Sequence, residues 1–168
     1  ESDDLDLSGY GFELTFRLAV SRQEKDAPIW PVDFLQNLGR YVFETGSGFA
    51  PGHHLELNGP IEVESPDTSI RAVTMIEDDL FQTISTPHGR VTFVQVVGTT
   101  EAENRAILSW NGVSVLETMR KWNPSLVTDL GRSCLMDTDA FAAAVQEGAR
   151  TEGSSTGMSL AQEITIEF

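Results

Sequence analysis

The chain has 168 residues and a mass of 18.4 kDa, which suits one domain, and 40% of its residues are apolar, enough for a real core. Its 11 lysines and arginines against 26 aspartates and glutamates give a net charge of −15, which excludes a nucleic-acid binder that grips phosphates through basic side chains. No apolar stretch approaches the roughly 20 residues of a membrane-spanning helix, and the single cysteine, Cys134, excludes an internal disulfide framework. We therefore expect one soluble domain over residues 1–168, cytoplasmic because no leader sequence is visible.

The N-terminal part predicts a strand followed by a helix. Every even position from residue 10 to residue 20 is apolar, and this period of two is typical of a half-buried strand. From residue 32 to residue 45 the apolar residues recur at helical spacing. Pro31 fits the first turn of this helix, and Gly46 supplies its end.

The middle of the chain predicts most of a sheet. Residues 46–69 are rich in glycine and proline, which predicts a long loop with a short strand near residues 54–57. Residues 70–76 and 91–97 predict two further strands, and the second is apolar on both faces, so we expect it at the centre. The turn at residues 86–89 favours an antiparallel arrangement of these two strands.

The rest of the chain predicts helices and short strands. Thr100 and Glu103 have the spacing of a capping box, which predicts a helix that runs to about Trp110. The remaining predicted elements are a helix over 113–122, short strands over 126–129 and 133–136, a helix over 138–148 and a closing strand over 161–168. This order predicts an α+β fold, with helices packed on a mixed, largely antiparallel sheet.

Residues suited to catalysis are few. His53 and His54, with the acidic run Glu77-Asp78-Asp79, leave a metal-dependent hydrolase using His53, His54 and Glu77 as an alternative. However, neighbouring residues on a strand point to opposite faces, so the two histidines do not easily share a metal. We interpret the acidic run as a solvated turn and Cys134 as a small buried residue in a strand. We therefore expect no enzyme, no metal and no cofactor.

Several segments together resemble the Suppressor of fused (SUFU) domain family. The first strand matches it over residues 8–18, SGYGFELTFRL, and Trp30-Pro31 precedes the matching RYVF at residues 40–43. The other matching segments follow in the same order: GHH at 52–54, TPHG at 86–89, VTF at 91–93, WNG at 110–112 and TD at 128–129. The resemblance is clearest over residues 8–139, and the chain looks like a compact bacterial member.

The resemblance implies a non-enzymatic protein–protein interaction domain that binds and inhibits or sequesters a partner. In animals this partner is a Gli-type transcription factor, a peptide of which is held as an added strand; in bacteria it is a toxin, which an immunity protein neutralises. The family's partner-contacting positions fall on Tyr41, His53 and Glu77, and His53 replaces an acid of the family pattern. The negative charge favours a basic partner, such as a basic toxin, and neither nucleic acid nor membrane is expected.

Overall fold

The structure is a computed structural model that describes residues 7–21 and 26–154. Its strands are β1 (Leu7–Phe16), β2 (His54–Glu56), β3 (Ile70–Glu77), β4 (Ile84–Thr86) and β5 (Gly89–Thr100). Its α-helices are α1 (Trp30–Thr45), α2 (Glu101–Ser109), α3 (Gly112–Met119) and α4 (Asp139–Glu152), and Leu135–Asp137 forms a short 3-10 helix. The predicted α+β class is confirmed.

The strands form one mixed sheet in the order β1-β5-β3-β2, and β4 pairs with the beginning of β5. β1 runs parallel to β5, whereas the β2–β3, β3–β5 and β4–β5 pairs are antiparallel. β5 is therefore the central strand, as its two apolar faces predict. The sheet is mixed and largely antiparallel, which confirms the predicted architecture.

Each face of the sheet has its own core because side chains of β3 and β5 alternate between the two faces. On the first face, which we call the α1 face, Met75 and Val96 pack against Phe34 of α1 and its neighbours. On the second, which we call the α2–α4 face, Ile76 packs with residues of the other helices, such as Phe141. The apolar side chains of β1 that sequence analysis placed on one face, Tyr10, Phe12, Leu14 and Phe16, pack against the α1-face core.

The ends of the helices follow from local chemistry. Pro31 lies in the first turn of α1, where a missing N–H costs nothing, and Gly46 ends this helix with φ of 70°. The predicted capping box is present: the Thr100 hydroxyl accepts from the N–H of Glu103, whose carboxylate accepts from the N–H of Thr100. Asn111 caps α3 through its side-chain oxygen.

The predicted strand over residues 126–129 is wrong. Thr128 forms one isolated parallel bridge with Leu18, just beyond the end of β1. Leu126 has φ of 50°, which a strand does not accommodate, and its carbonyl accepts a 3.0 Å hydrogen bond from the side chain of Gln95. The backbone of this segment is thus paired partly with residues 17–19 and partly with a polar side chain of the central strand, without forming a strand.

The predicted strand over residues 133–136 is also wrong, because the segment turns into the short 3-10 helix. The N–H of Leu135 donates to the carboxylate of Glu103 at 2.9 Å, so a side chain again satisfies the backbone. Cys134 is half-buried before this turn, with its Sγ 3.0 Å from Oγ1 of Thr100, and is neither in a strand nor fully buried. α4 extends past its predicted end, and the closing strand predicted over 161–168 lies outside the described residues.

Candidate functional site

A turn and a bulge determine how His53 is presented. The N–H of His53 donates to the carbonyl of Ala50 at 3.0 Å, which closes a turn with Pro51 and Gly52 at its centre. Gly52 has φ of 89°, as the third residue of a type II turn requires. The N–H of Gly52 donates to the Met75 carbonyl and the N–H of Met75 to the His53 carbonyl, both at 2.8 Å. Two residues therefore oppose Met75 in a glycine bulge, and His53 lies on the α1 face beside it.

Glu77 is the exposed last residue of β3. It lies two residues beyond the one that opposes His53, so strand alternation places both side chains on the α1 face, about 7 Å apart along the strand. Glu77 faces Val94, and the N–H of the next residue, Asp78, donates to a β5 carbonyl at 2.9 Å. This alternation directs the N–H and carbonyl of Glu77 away from β5, toward the open end of the sheet beyond the bulge.

Tyr41 of α1 is half-buried on the same face. Its ring stacks on Phe49, with centroids 5.7 Å apart and planes 23° apart, and Phe49 in turn meets Phe12 edge-on. Phe49 belongs to the segment that leads into the turn before His53, so this stacking ties the helix to the turn. Tyr41, His53 and Glu77 thus lie on one face of the sheet; we call this set the α1-face surface.

Asp78, next to Glu77, points to the opposite face and is not the solvated residue that the sequence suggested. Its side chain is 0% exposed, and it accepts from Arg17 and from the hydroxyl of Thr15, each at 2.5 Å, and from the N–H of Leu80 at 2.8 Å. Burial alone would raise the pKa of Asp78, but these hydrogen bonds and the Arg17 charge together lower it below its ordinary value. The contacts of Asp78 on the α2–α4 face therefore hold the turn after Glu77 in place.

Asp79 joins the same turn to two other elements. Arg17 donates to one of its carboxylate oxygens at 3.1 Å, and Arg120, directly after α3, donates to the other at 3.0 Å. Within residues 7–21 and 26–154, Glu77 is the one member of the acidic run that has no ion pair with an arginine. Its carboxylate is held at a fixed turn and remains exposed.

The structure does not bring His53, His54 and Glu77 together. His54 pairs with Thr74, whose methyl group lies against the position of Gly112 in α3, so His54 belongs to the α2–α4 face. Its Nδ1 is buried and has no hydrogen-bond partner among the described residues. Nowhere in the described part of the chain do three histidine, cysteine, aspartate or glutamate residues cluster as metal ligands would. The hydrolase alternative is not supported.

Among the residues that the structure describes, every helix is too short or too polar to cross a bilayer.

Comparisons with known proteins bear on these observations. The curated Suppressor of fused homologs of human and mouse are each 36% identical over 154 residues, which covers 88% of this chain and 31% of theirs. The chain therefore spans about a third of the length of these relatives. The crystal structure of Drosophila Suppressor of Fused superposes with a TM-score of 0.81 at 25% identity, covering 96% of this chain and 42% of that one.

A second solved structure is described as the Sufu-Fu complex; it gives a TM-score of 0.77 at 27% identity and covers 88% of this chain and 66% of that one. The relatives of stated organism are animal proteins, so the expected bacterial origin is not borne out. The family model for Suppressor of fused protein (SUFU) matches residues 1–133, most of the chain. The chain belongs to the Suppressor of fused family.

Proposed function

We propose that the chain is a non-enzymatic protein-binding domain that inhibits or sequesters its partner, and that it does so through the α1-face surface. The observation that carries this proposal is the exposed carboxylate of Glu77 at the open end of β3, beside the bulge that presents His53. Membership of the Suppressor of fused family and the existence of a Sufu-Fu complex support it.

An extended segment of the partner would add to the sheet beyond the bulge. There the N–H and carbonyl of Glu77 point away from β5 and can pair with another backbone, while side chains on alternate positions confer specificity. The Glu77 carboxylate would accept hydrogen bonds from polar or cationic groups of the segment, and Tyr41 would contact an apolar side chain. Since His53 replaces an acid of the family pattern, Glu77 supplies the negative charge of this surface.

A basic partner fits the charge of the chain. A net charge of −15 accelerates association with a cationic protein and makes the rate fall as salt rises. A basic toxin and a Gli-type peptide both remain candidates, and the immunity-type role and the cytoplasmic location stay predictions.

The test is a calorimetric titration of the chain with Fu and, separately, with a Gli-type peptide. We expect one of them to bind, and both Glu77→Gln and Tyr41→Ala to raise its Kd about tenfold or more. Glu147→Gln is the matched control, since Glu147 is exposed on α4, where it pairs with Arg150. Circular dichroism of each variant separates lost binding from lost folding.

Two results would contradict the proposal. One is binding that neither Glu77→Gln nor Tyr41→Ala weakens, which would place the interface elsewhere. The other is the absence of binding at low salt, where electrostatic attraction is strongest, to Fu, to the Gli-type peptide and to a basic toxin titrated in the same way.

A further inference from the structure

A concave region lies beside the N-terminal part of α1. It is a cleft of about 820 Å³ between residues 26–40 and residues 61–64. Its walls include Trp30 and two apolar residues that are exposed to solvent, Ile29 (74% exposed) and Val63. A cleft of this size with apolar walls is typical of a binding site.

The cleft contains a buried carboxyl group that lacks a partner on one oxygen. Glu62 lines the cleft and is only 8% exposed. Its Oε1 accepts a 3.0 Å hydrogen bond from the N–H of Glu64. Its Oε2 is buried, and no described residue donates a hydrogen bond to it. A buried acceptor left without a donor is costly, so this oxygen indicates a donor that the described residues do not supply.

The charge around the cleft favours a cationic donor. Four acids line it against a single basic residue, Arg40, and the acids are Asp26, Asp33, Glu62 and Glu64. Arg40 does not neutralise Glu62: its guanidinium donates to Asn37 at 3.2 Å, and it forms no ion pair within the described ranges. A donor that carries its own positive charge is therefore favoured over a neutral one, because it also offsets the other acids of the cleft.

We propose that this cleft binds a lysine or arginine side chain of a protein partner, flanked by apolar side chains that contact Ile29, Trp30 and Val63. The cation donates to Oε2 of Glu62 and gains a charge-assisted hydrogen bond. The proposal rests on the role as a protein-binding domain but concerns a site apart from Tyr41, His53 and Glu77. The partner would thus be held at two places, one at each end of α1.

The test uses a short peptide and no natural partner, so its result is independent of the titrations with Fu. The full chain, labelled with ¹⁵N, is titrated with acetyl-Leu-Lys-Leu-amide and with the same peptide carrying uncharged norleucine in place of lysine. We expect chemical-shift changes centred on the Trp30 indole and Val63. The lysine peptide should bind about tenfold more tightly than the norleucine peptide.

Three variants sharpen this experiment. Glu62→Gln should abolish the preference for lysine, whereas Glu64→Gln, which changes an exposed acid of the same cleft, should preserve most of it. Ile29→Ser changes an exposed residue of the cleft wall with little risk to folding, and it should weaken the binding of both peptides equally.

Several outcomes would overturn the proposal. These are equal affinity for the two peptides, chemical-shift changes centred outside the cleft, or an equal loss of the preference for lysine in Glu62→Gln and Glu64→Gln. A fourth concerns Arg22 and Lys25, which precede Asp26 and lie outside the described residues. Much tighter peptide binding by the double variant Arg22→Ala/Lys25→Ala would show that the chain's own cation occupies the cleft.

Discussion

The two faces of the sheet use neighbouring acids for opposite purposes. Glu77 lies on the α1 face, is exposed and has no arginine partner among the described residues, whereas Asp78 lies on the α2–α4 face, fully buried against Arg17. Asp78 thus holds its charge in an internal pair, whereas the charge of Glu77 is available for recognition. Strand alternation alone separates a residue of the scaffold from a residue of the candidate site.

A second buried acid, Glu103, strengthens the contrast. Its side chain is 0% exposed and accepts from Arg132 at 2.5 Å and from the N–H groups of Thr100 and Leu135 at 2.9 Å each. Burial alone would raise the pKa of Glu103, but the hydrogen bonds and the charge of Arg132, together with the two N–H groups, lower it below its ordinary value. The segment around Leu135 is fastened to α2 in this way.

Acidification tests both buried acids at once, and it should reduce the free energy of unfolding more than any single substitution does. Because the folded-state pKa values of Asp78 and Glu103 are lowered, their stabilising contribution is complete above the unfolded-state values and is lost as the pH falls through the folded ones. The free energy of unfolding, measured with urea, should therefore fall steeply below about pH 4. A stability curve that stays flat from neutral pH to about pH 3 would contradict the assignment of both acids to the scaffold.

Among the single substitutions, Glu103→Gln should lower the free energy of unfolding the most. It leaves the half-buried guanidinium of Arg132 without its counter-charge, and breaking a pair with a buried partner costs about 3–5 kcal/mol. Urea denaturation measures this loss, and the same variant should have a shallower dependence on acid. Glu147→Gln is the control: its exposed pair with Arg150 should leave the midpoint unchanged.

Two substitutions of adjacent residues compare the contributions of the two faces to stability: Asp78→Asn and Glu77→Gln. Asp78→Asn removes the charge that faces Arg17 and should lower the free energy of unfolding by about 2–3 kcal/mol. Glu77→Gln should leave stability unchanged and reduce only partner binding. Equal destabilisation by both substitutions would remove the distinction between scaffold and site.

Gly52→Ala should reduce stability less than the substitutions of the two buried acids. Its φ of 89° is strained for alanine, which costs about 1–2 kcal/mol and disturbs the bulge that presents His53. We expect a modest drop in the thermal midpoint together with weaker partner binding. Gly59→Ala, at a site with open space and no positive φ, is the control and should change neither.

Most of the sheet was predictable because its signals are periodic and local. The alternation in β1 and the two apolar faces of β5 reflect burial along a single strand, and the capping box of α2 spans four residues. The predictions of strands at 126–129 and 133–136 are wrong for a non-local reason. The side chains of Gln95 and Glu103, which lie far away in sequence, form hydrogen bonds with the backbone of these segments.

The sequence supplied candidate residues for the site, but not their geometry. The resemblance pointed to Tyr41, His53 and Glu77, yet the pairing that places them on one face requires the register between β2 and β3. The burial of Asp78 had a usable signal, because the alternation of Thr74 and Ile76 along β3 continues to it. The burial of Glu62 had no such signal, since its loop carries no periodic pattern.

Mapping a complex tests most directly whether the α1-face surface holds the partner. The ¹⁵N-labelled chain is titrated with the probe that binds, and the amide shifts are assigned to the two faces of the sheet. We predict that the amide shifts are concentrated at residues 49–54 and 74–78 and at the end of α1 around Tyr41. Shifts concentrated on the α2–α4 face, around Trp110 and Phe141, would contradict it.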